Sequence, residues 1–158
     1  MYRKLKLLIG PLASSLAALF LLLAPFLANA ADAPPIKIGF GMELSGPLAG
    51  GGKSALVAIQ MWAEDVNARG GLIGRKVQLV HYDDQSNPST VPAIYTKLLD
   101  IDKVDLVISG YANNQIAAAM PVIIPRGLLF FSLLGTAVND NFKYDRYFQL
   151  NPNGPDAK

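Results

Sequence analysis

IKIGFGMELSGPLAGGGKSALVAIQMWAEDVNARGGLIGRKVQLVHY, running from Ile36 to Tyr82, contains the change of hydrophobic period on which the fold turns. Its first seven residues put apolar side chains at Ile36, Ile38, Phe40 and Met42, the two-residue period of a strand, with the small Gly39 and Gly41 between them allowing close packing. Ser45-Gly46-Pro47 then breaks the strand. Over residues 53–69 the period lengthens: Ala55, Leu56, Ala58, Ile59, Trp62, Ala63 and Val66 recur at three- and four-residue spacing and fall on one helical stripe. That stripe predicts a core position for Trp62. Gly70-Gly71 supplies the stop that left-handed helix caps need, and residues 76–82 (KVQLVHY) return to strand.

The same alternation continues. Residues 83–89 read as a loop in which Ser86 or Asn87 caps a second helix with Pro88 in its first turn and Val91, Ile94, Tyr95, Leu98 and Leu99 on its buried stripe. Residues 105–109 (DLVIS) form a strand with no polar alternation inside, as expected of one covered on both faces by helices. A third helix is predicted at 115–124, weakened at Pro121, which lacks an amide donor; a buried strand follows at 128–133 and a fifth candidate strand at 146–150. Parallel neighbours need crossover helices, so the predicted class is α/β, an open, doubly wound parallel sheet. Ligands of such sheets lie beyond the carboxyl ends of the strands, here residues 43–52, 82–87, 110–114 and 134–139.

Composition narrows the function. The 158 residues are 51% hydrophobic and 16% charged, with no cysteine and a formal charge of +2, too apolar for a disordered chain and the size of a single domain. Arg3, Lys4 and Lys6 precede an apolar run over residues 7–27, and the small residues of Ala28-Asn29-Ala30 follow it. This is the pattern of an export signal cleaved after Ala30; a membrane anchor is the alternative, but Gly10, Pro11, Ser14, Ser15 and Pro25 interrupt the run. Without its first 30 residues the chain keeps 128 residues and 11 of its 14 basic side chains against all 12 acidic ones, a charge near −1. No basic footprint for nucleic acid remains. The lack of cysteine excludes disulfides, a catalytic thiol, zinc–thiolate sites and a lipid on cysteine.

Gly50-Gly51-Gly52-Lys53-Ser54 invites comparison with a phosphate-binding loop, but the glycine required six places before Lys53 is Pro47, so no nucleotide is expected. A capped turn is the plain alternative, and its amides could still face a ligand carboxylate. The adjacent Asp83 and Asp84 would point in opposite directions on a strand and so cannot share acid–base work; they suit loop capping. His81, the only histidine, lies inside a strand, and no ligand cluster predicts a metal. No nucleophile elbow is present, so no catalytic residue and no cofactor is expected. Tyr111-Ala112-Asn113-Asn114 stands where amide side chains could reach a polar ligand or, equally, cap the next helix; Gly135-Thr136 could offer a hydroxyl to a carboxylate or merely hold its turn.

Four blocks carry a resemblance: Ile36-Lys37-Ile38-Gly39; Leu44-Ser45-Gly46-Pro47-Leu48-Ala49; Asp65-Val66-Asn67-Ala68-Arg69-Gly70-Gly71-Leu72-Ile73-Gly74-Arg75-Lys76-Val77; and Tyr82-Asp83-Asp84-Gln85-Ser86-Asn87-Pro88. In this order, behind an export signal, they resemble the periplasmic solute-binding proteins of branched-chain (hydrophobic) amino acid ABC transporters, of the type I periplasmic-binding fold. The resemblance implies two flavodoxin-like or Rossmann-like lobes closing on an amino acid, of which residues 31–158 look like the amino-terminal one. It further implies a chain ending near the first hinge crossing (Gln149 to Pro155), without the second lobe, and so weak or absent ligand binding.

By position, the resemblance puts the α-carboxylate contacts on Asn113 and Thr136 and the α-ammonium contact on the carbonyl of Leu134. Tyr111 and Gly135 lie beside them, and Ser45 and the 50–52 turn border the cleft. Asn113 replaces the serine of leucine-type binders and Gly51 an aromatic residue, which leaves room for a bulkier solute. The implied function is capture of a branched-chain or hydrophobic amino acid, or a related small solute, in the periplasm and delivery to a membrane permease, with no ATP bound by this chain. The alternative is a sensing module of the same fold for a short amide, urea or aromatic acid.

Overall fold

The computed structural model describes residues 33–151; the predicted leader and its predicted cleavage point, and most of the predicted hinge block, lie outside them. Five parallel strands are laid down in chain order: β1 (Ile36–Met42), β2 (Val77–Asp83), β3 (Leu106–Val107), β4 (Phe130–Ser132) and β5 (Tyr147–Gln149). Between them run α1 (Ala49–Ala68), α2 (Val91–Asp100), α3 (Asn113–Ile123) and a short α4 (Asn139–Phe142). β1 pairs with β2 along its whole length, from Ile36 opposite Val77 to Met42 opposite Asp83, and on its other side with β3, Ile38 opposite Leu106. β4 and β5 form a second parallel pair. A bridge from Ile108 to Phe131, with the Ser109 amide donating to the Phe131 carbonyl at 2.9 Å, joins the two sets. The order β2-β1-β3-β4-β5 is the flavodoxin-like doubly wound order, and its switch point lies between β1 and β3.

β1 shows how the sequence imposes this. Its even residues Ile36, Ile38, Phe40 and Met42 are buried toward α1, meeting Ala63 and Val66 at one end and Ile59 at the other. The glycines between them face α2 and the loop after it, where a Cβ on Gly39 would lie 3.1 Å from Leu98 and 2.9 Å from Val104. The larger core lies on that face: Val91, Tyr95 and Leu98 of α2 pack with Ile116, Ala119, Met120 and Ile123 of α3 against Val107, Phe130 and Tyr147. Each fully buried large side chain contributes roughly 1.5–3 kcal/mol.

Several boundaries differ from the sequence reading. α1 starts at Ala49, so Gly50, Gly51 and Gly52 form its first turn rather than a loop beside a cleft. Gly52 permits this, because a Cβ there would stand 2.1 Å from the Glu43 carbonyl; only a bare backbone lets the helix start so close to the strand it follows. Trp62 is 43% exposed, outside the narrower stripe of Gly52, Ile59, Ala63 and Val66. α2 begins at Val91 with Thr90 at its cap position and Pro92 in its first turn, since Ser86 to Thr90 are occupied by a turn of their own. β3 and β4 are shorter than expected, and Leu106 and Phe131 are exposed: helices cover only one face of the sheet there among the described residues. α3 starts two residues early, at Asn113, and runs through Pro121 into a 3-10 turn at Ile124–Arg126. α4 was not anticipated.

Candidate ligand-binding site

Three loops meet where β1, β2 and β3 end. Asp83 stitches the first two: its carboxylate accepts from the Leu44 amide (3.0 Å), the Ser45 amide (3.1 Å), the Ser45 hydroxyl (2.6 Å) and the Gln85 amide (2.8 Å). Partial burial alone would raise its pKa, but these bonds outweigh it and hold Asp83 below the ordinary carboxylate range. Ser86 completes the stitch, donating to the Ser45 carbonyl at 2.7 Å and accepting from the Leu48 amide at 3.1 Å. The Ser45 side chain is therefore spent on the loop framework.

The third loop carries the polar groups that remain open. Ala112 occupies the cap position of α3 at φ 67° and ψ 140°, a backbone region costly for any residue with a Cβ, and α3 receives no side-chain cap bond. Asn113 does not cap; it reaches across to the loop after β4. Its Oδ1 accepts from the Thr136 amide at 2.8 Å, and its Nδ2 donates to Thr136 Oγ1 at 3.3 Å, leaving the threonine hydroxyl hydrogen free to point elsewhere. Gly135 makes the approach possible, since a Cβ there would meet Ile116 at 2.5 Å and Ser132 Oγ at 2.8 Å.

The sequence-predicted residues Asn113, Thr136 and Gly135 are thus brought together, with Tyr111 and Leu134 beside them. A pocket of about 500 Å³ opens there, lined by Leu48, Ser86, Pro88, Tyr111, Asn113 and Leu134 together with the first turn of α3. Ser45, Gly135 and Thr136 are not part of that lining; Thr136 adjoins it through its bonds to Asn113. Gly51 contributes by absence: a Cβ would lie 2.5 Å from the Tyr111 ring, which rests on α1 at that point.

Chemically, this is an anion cradle with an apolar flank. The first amides of a helix without a side-chain cap, reinforced by the helix dipole, favour a carboxylate, and Asn113, with Thr136 bonded behind it, adds a neutral donor. Leu48, Pro88, Leu134 and the Tyr111 ring suit an aliphatic body. Among the described residues no group of three metal-ligating side chains converges.

Sequence reasoning missed Glu43. Its side chain is completely buried directly behind the pocket, its Oε2 accepts from the Tyr111 amide at 3.1 Å, and its Oε1 has no partner. Burial raises its pKa, its own amide and that of Tyr111 pull it back, and the nearby Asp84 and Asp83 push it up again, to about 7 from 4.5. The signal was present: a lone acid directly after an apolar strand, between Met42 and Leu44, at a strand's carboxyl end.

The chain is similar to known proteins over most of its described length. The profile of a family described as "Periplasmic binding protein" matches residues 35–157. The Leu/Ile/Val-binding protein of Escherichia coli is 30% identical over 109 residues, 69% of this chain but 29% of that protein. A Leu/Ile/Val-binding protein homolog of Brucella melitensis is 32% identical over 111 residues, 70% of this chain and 28% of that one. This chain therefore spans less than a third of these relatives' length. Among solved structures, a branched-chain amino acid transporter substrate binding protein from Streptococcus pneumoniae, in complex with isoleucine, superimposes with a TM-score of 0.67 at 29% identity, over 73% of this chain and 33% of that one. A solute binding protein of an ABC transporter from Rhodopseudomonas palustris, in complex with 3,4-dihydroxy benzoic acid, shares the fold at a TM-score of 0.62 and 18% identity, over 73% of this chain and 31% of that chain.

Proposed function

Since the chain belongs to the periplasmic binding protein family, we propose that it forms the first lobe of the substrate-binding component of an ABC importer. In this reading it captures a branched-chain or similarly hydrophobic amino acid outside the cytoplasmic membrane and hands it to a permease. Its chemistry is capture and release. The leader over residues 1–30 would direct export, with cleavage after Ala30 and action in the periplasm.

The observation that carries the reading is the uncapped start of α3 facing a pocket with an apolar flank, at the carboxyl ends of the strands beside the switch point. The ligand's α-carboxylate would sit on the amides of that turn, with the Thr136 hydroxyl donating to it and Asn113 holding Thr136 in place. The Leu134 carbonyl would accept from the α-ammonium, and the aliphatic side chain would lie against Leu48 and the Tyr111 ring. Gly135 acts by letting the two loops touch, and Ser45 by fixing the rim. The bound isoleucine of the Streptococcus pneumoniae protein and the names of the curated relatives support this ligand class.

The test is amide chemical-shift mapping with leucine, isoleucine and valine against urea, a short amide and an aromatic acid. Saturable shifts at residues 111–115 and 134–136 with the branched-chain amino acids alone support the reading. Equal response to all solutes, or none, contradicts it.

A further inference from the structure

Behind the binding loop lies a buried acidic pair with no catalytic task. Glu43, at the end of β1, and Asp84, one residue past β2, are 0% and 1% exposed. Each has an oxygen without a hydrogen-bond donor, Glu43 Oε1 and Asp84 Oδ2. A buried unpaired carboxylate oxygen costs several kcal/mol unless the group takes up a proton or does compensating work. The work is visible at Oε2, which takes the Tyr111 amide. The next residue, Ala112, holds the disfavoured backbone angles, and the one after that is Asn113. Such angles persist only where the surroundings over-determine them.

We propose that Glu43 is the positioning residue of the binding loop: its buried carboxyl holds the Tyr111 amide and so fixes the strained turn at Ala112 that presents Asn113, and a proton taken up by the Glu43–Asp84 pair loosens that hold. The bond from the amide is charge-assisted when Glu43 is ionised and weaker when it is neutral. The groups facing Glu43 can be enumerated. The end of β2 brings Asp84 and Asp83, both repulsive; α2 brings Tyr95, whose hydroxyl donates to the Ile108 carbonyl at 2.7 Å; the β3–α3 loop brings the Tyr111 amide, and Glu43's own amide also favours its ionised form. α1 meets it with Gly52, its Lys53 being exposed, and α3 contains no titratable residue. No cation neutralises the pair among these elements, so the ionised state is reached only against repulsion, which is why burial and Asp84 together raise Glu43 toward neutrality.

The effect on ligand binding rests on the function proposed above; the hold on the loop does not. Both are read by following backbone amides of the 15N-labelled full chain from about pH 5 to about pH 8.5. In the wild-type chain the Tyr111 and Asn113 signals should move together, the Tyr111 proton downfield as pH rises, with a midpoint near 7. In Glu43→Gln they should be flat. Asp84→Asn, which keeps Glu43 but removes its repulsive neighbour, should lower the midpoint by about half a unit or more. Signals that do not titrate in the wild-type chain, or titrate identically in Glu43→Gln, overturn the proposal. If Glu43→Gln does not fold, an unchanged midpoint in Asp84→Asn overturns it alone.

With isoleucine as the probe, apparent affinity should rise about threefold or more across the same titration, and the rise should vanish in Glu43→Gln. Amides that titrate as described while isoleucine moves none of them support the hold and count against the ligand reading. Isoleucine binding with an affinity that ignores a normal Tyr111 titration overturns the coupling and leaves the ligand reading standing.

Discussion

Glu43, Ala112 and Gly135 show how single residues settle the site. Glu43 keeps a proton up to about pH 7 when folded and only to about 4.5 when unfolded. Between those values the folded state binds more protons than the unfolded one, so stability falls as pH rises through that window. Glu43→Gln should remove Glu43's share of the fall, leaving the part that Asp84, also raised by burial, contributes, and above pH 7 should stabilise the chain by up to about 3 kcal/mol in urea unfolding. A wild-type stability that rises through the window contradicts this. Asp83 works in the opposite sense: its lowered pKa contributes stability that is present above the ordinary aspartate value and lost as pH falls through the folded one. Ala112→Gly should relieve the backbone cost and stabilise the fold by about 1 kcal/mol, while slackening the loop that carries Asn113. Gly135→Ala should do the reverse, since its Cβ meets Ile116 and Ser132, destabilising by roughly 1–3 kcal/mol and displacing Thr136. Denaturation midpoints and the Thr136 amide shift check both.

At the scale of elements, the strand–helix–strand unit from β1 to β2 was legible because its period changes cleanly from two to three-and-four, and β1 has the bounds its alternation gives. Starts of helices were not. The periodicity of α1 begins only after its glycines, at Lys53, but Gly50 to Gly52 carry no hydrophobic signal and still form a turn because Gly52 can sit on the Glu43 carbonyl. Trp62 was misplaced for a related reason: a wide apolar stripe does not say which of its residues the sheet reaches. Here α1 covers β1 and β2, and Trp62 overhangs an apolar groove of about 440 Å³ beside Ile108, Phe131 and Leu150. As the only tryptophan, it reports directly. Its fluorescence should be that of a half-solvated indole and should be quenched by iodide; blue-shifted emission inaccessible to iodide would restore the core assignment.

For the molecule as a whole, the fold class and the strand ends at which the candidate pocket opens could be read from punctuation alone, because parallel strands need crossovers and crossovers place loops at one end. The strand order and the join from β3 to β4 through a single bridge could not, since pairing partners leave no local trace in the sequence. Nor could the choice between capping and reaching at Asn113, which depends on how closely Gly135 lets the β4 loop approach. The molecule that results offers one polar cradle, one apolar flank and a buried acid behind them, on a lobe spanning less than a third of its relatives' length.

The most direct test of this account is a titration of the purified chain with isoleucine, read at the amides of residues 111–115 and 134–136, beside Thr136→Val. Saturable binding confined to those residues, and weakened about tenfold or more in the variant, is the predicted result. Shifts centred elsewhere, such as on the Trp62 groove, or binding unchanged by Thr136→Val, would contradict the placement of the ligand at the start of α3.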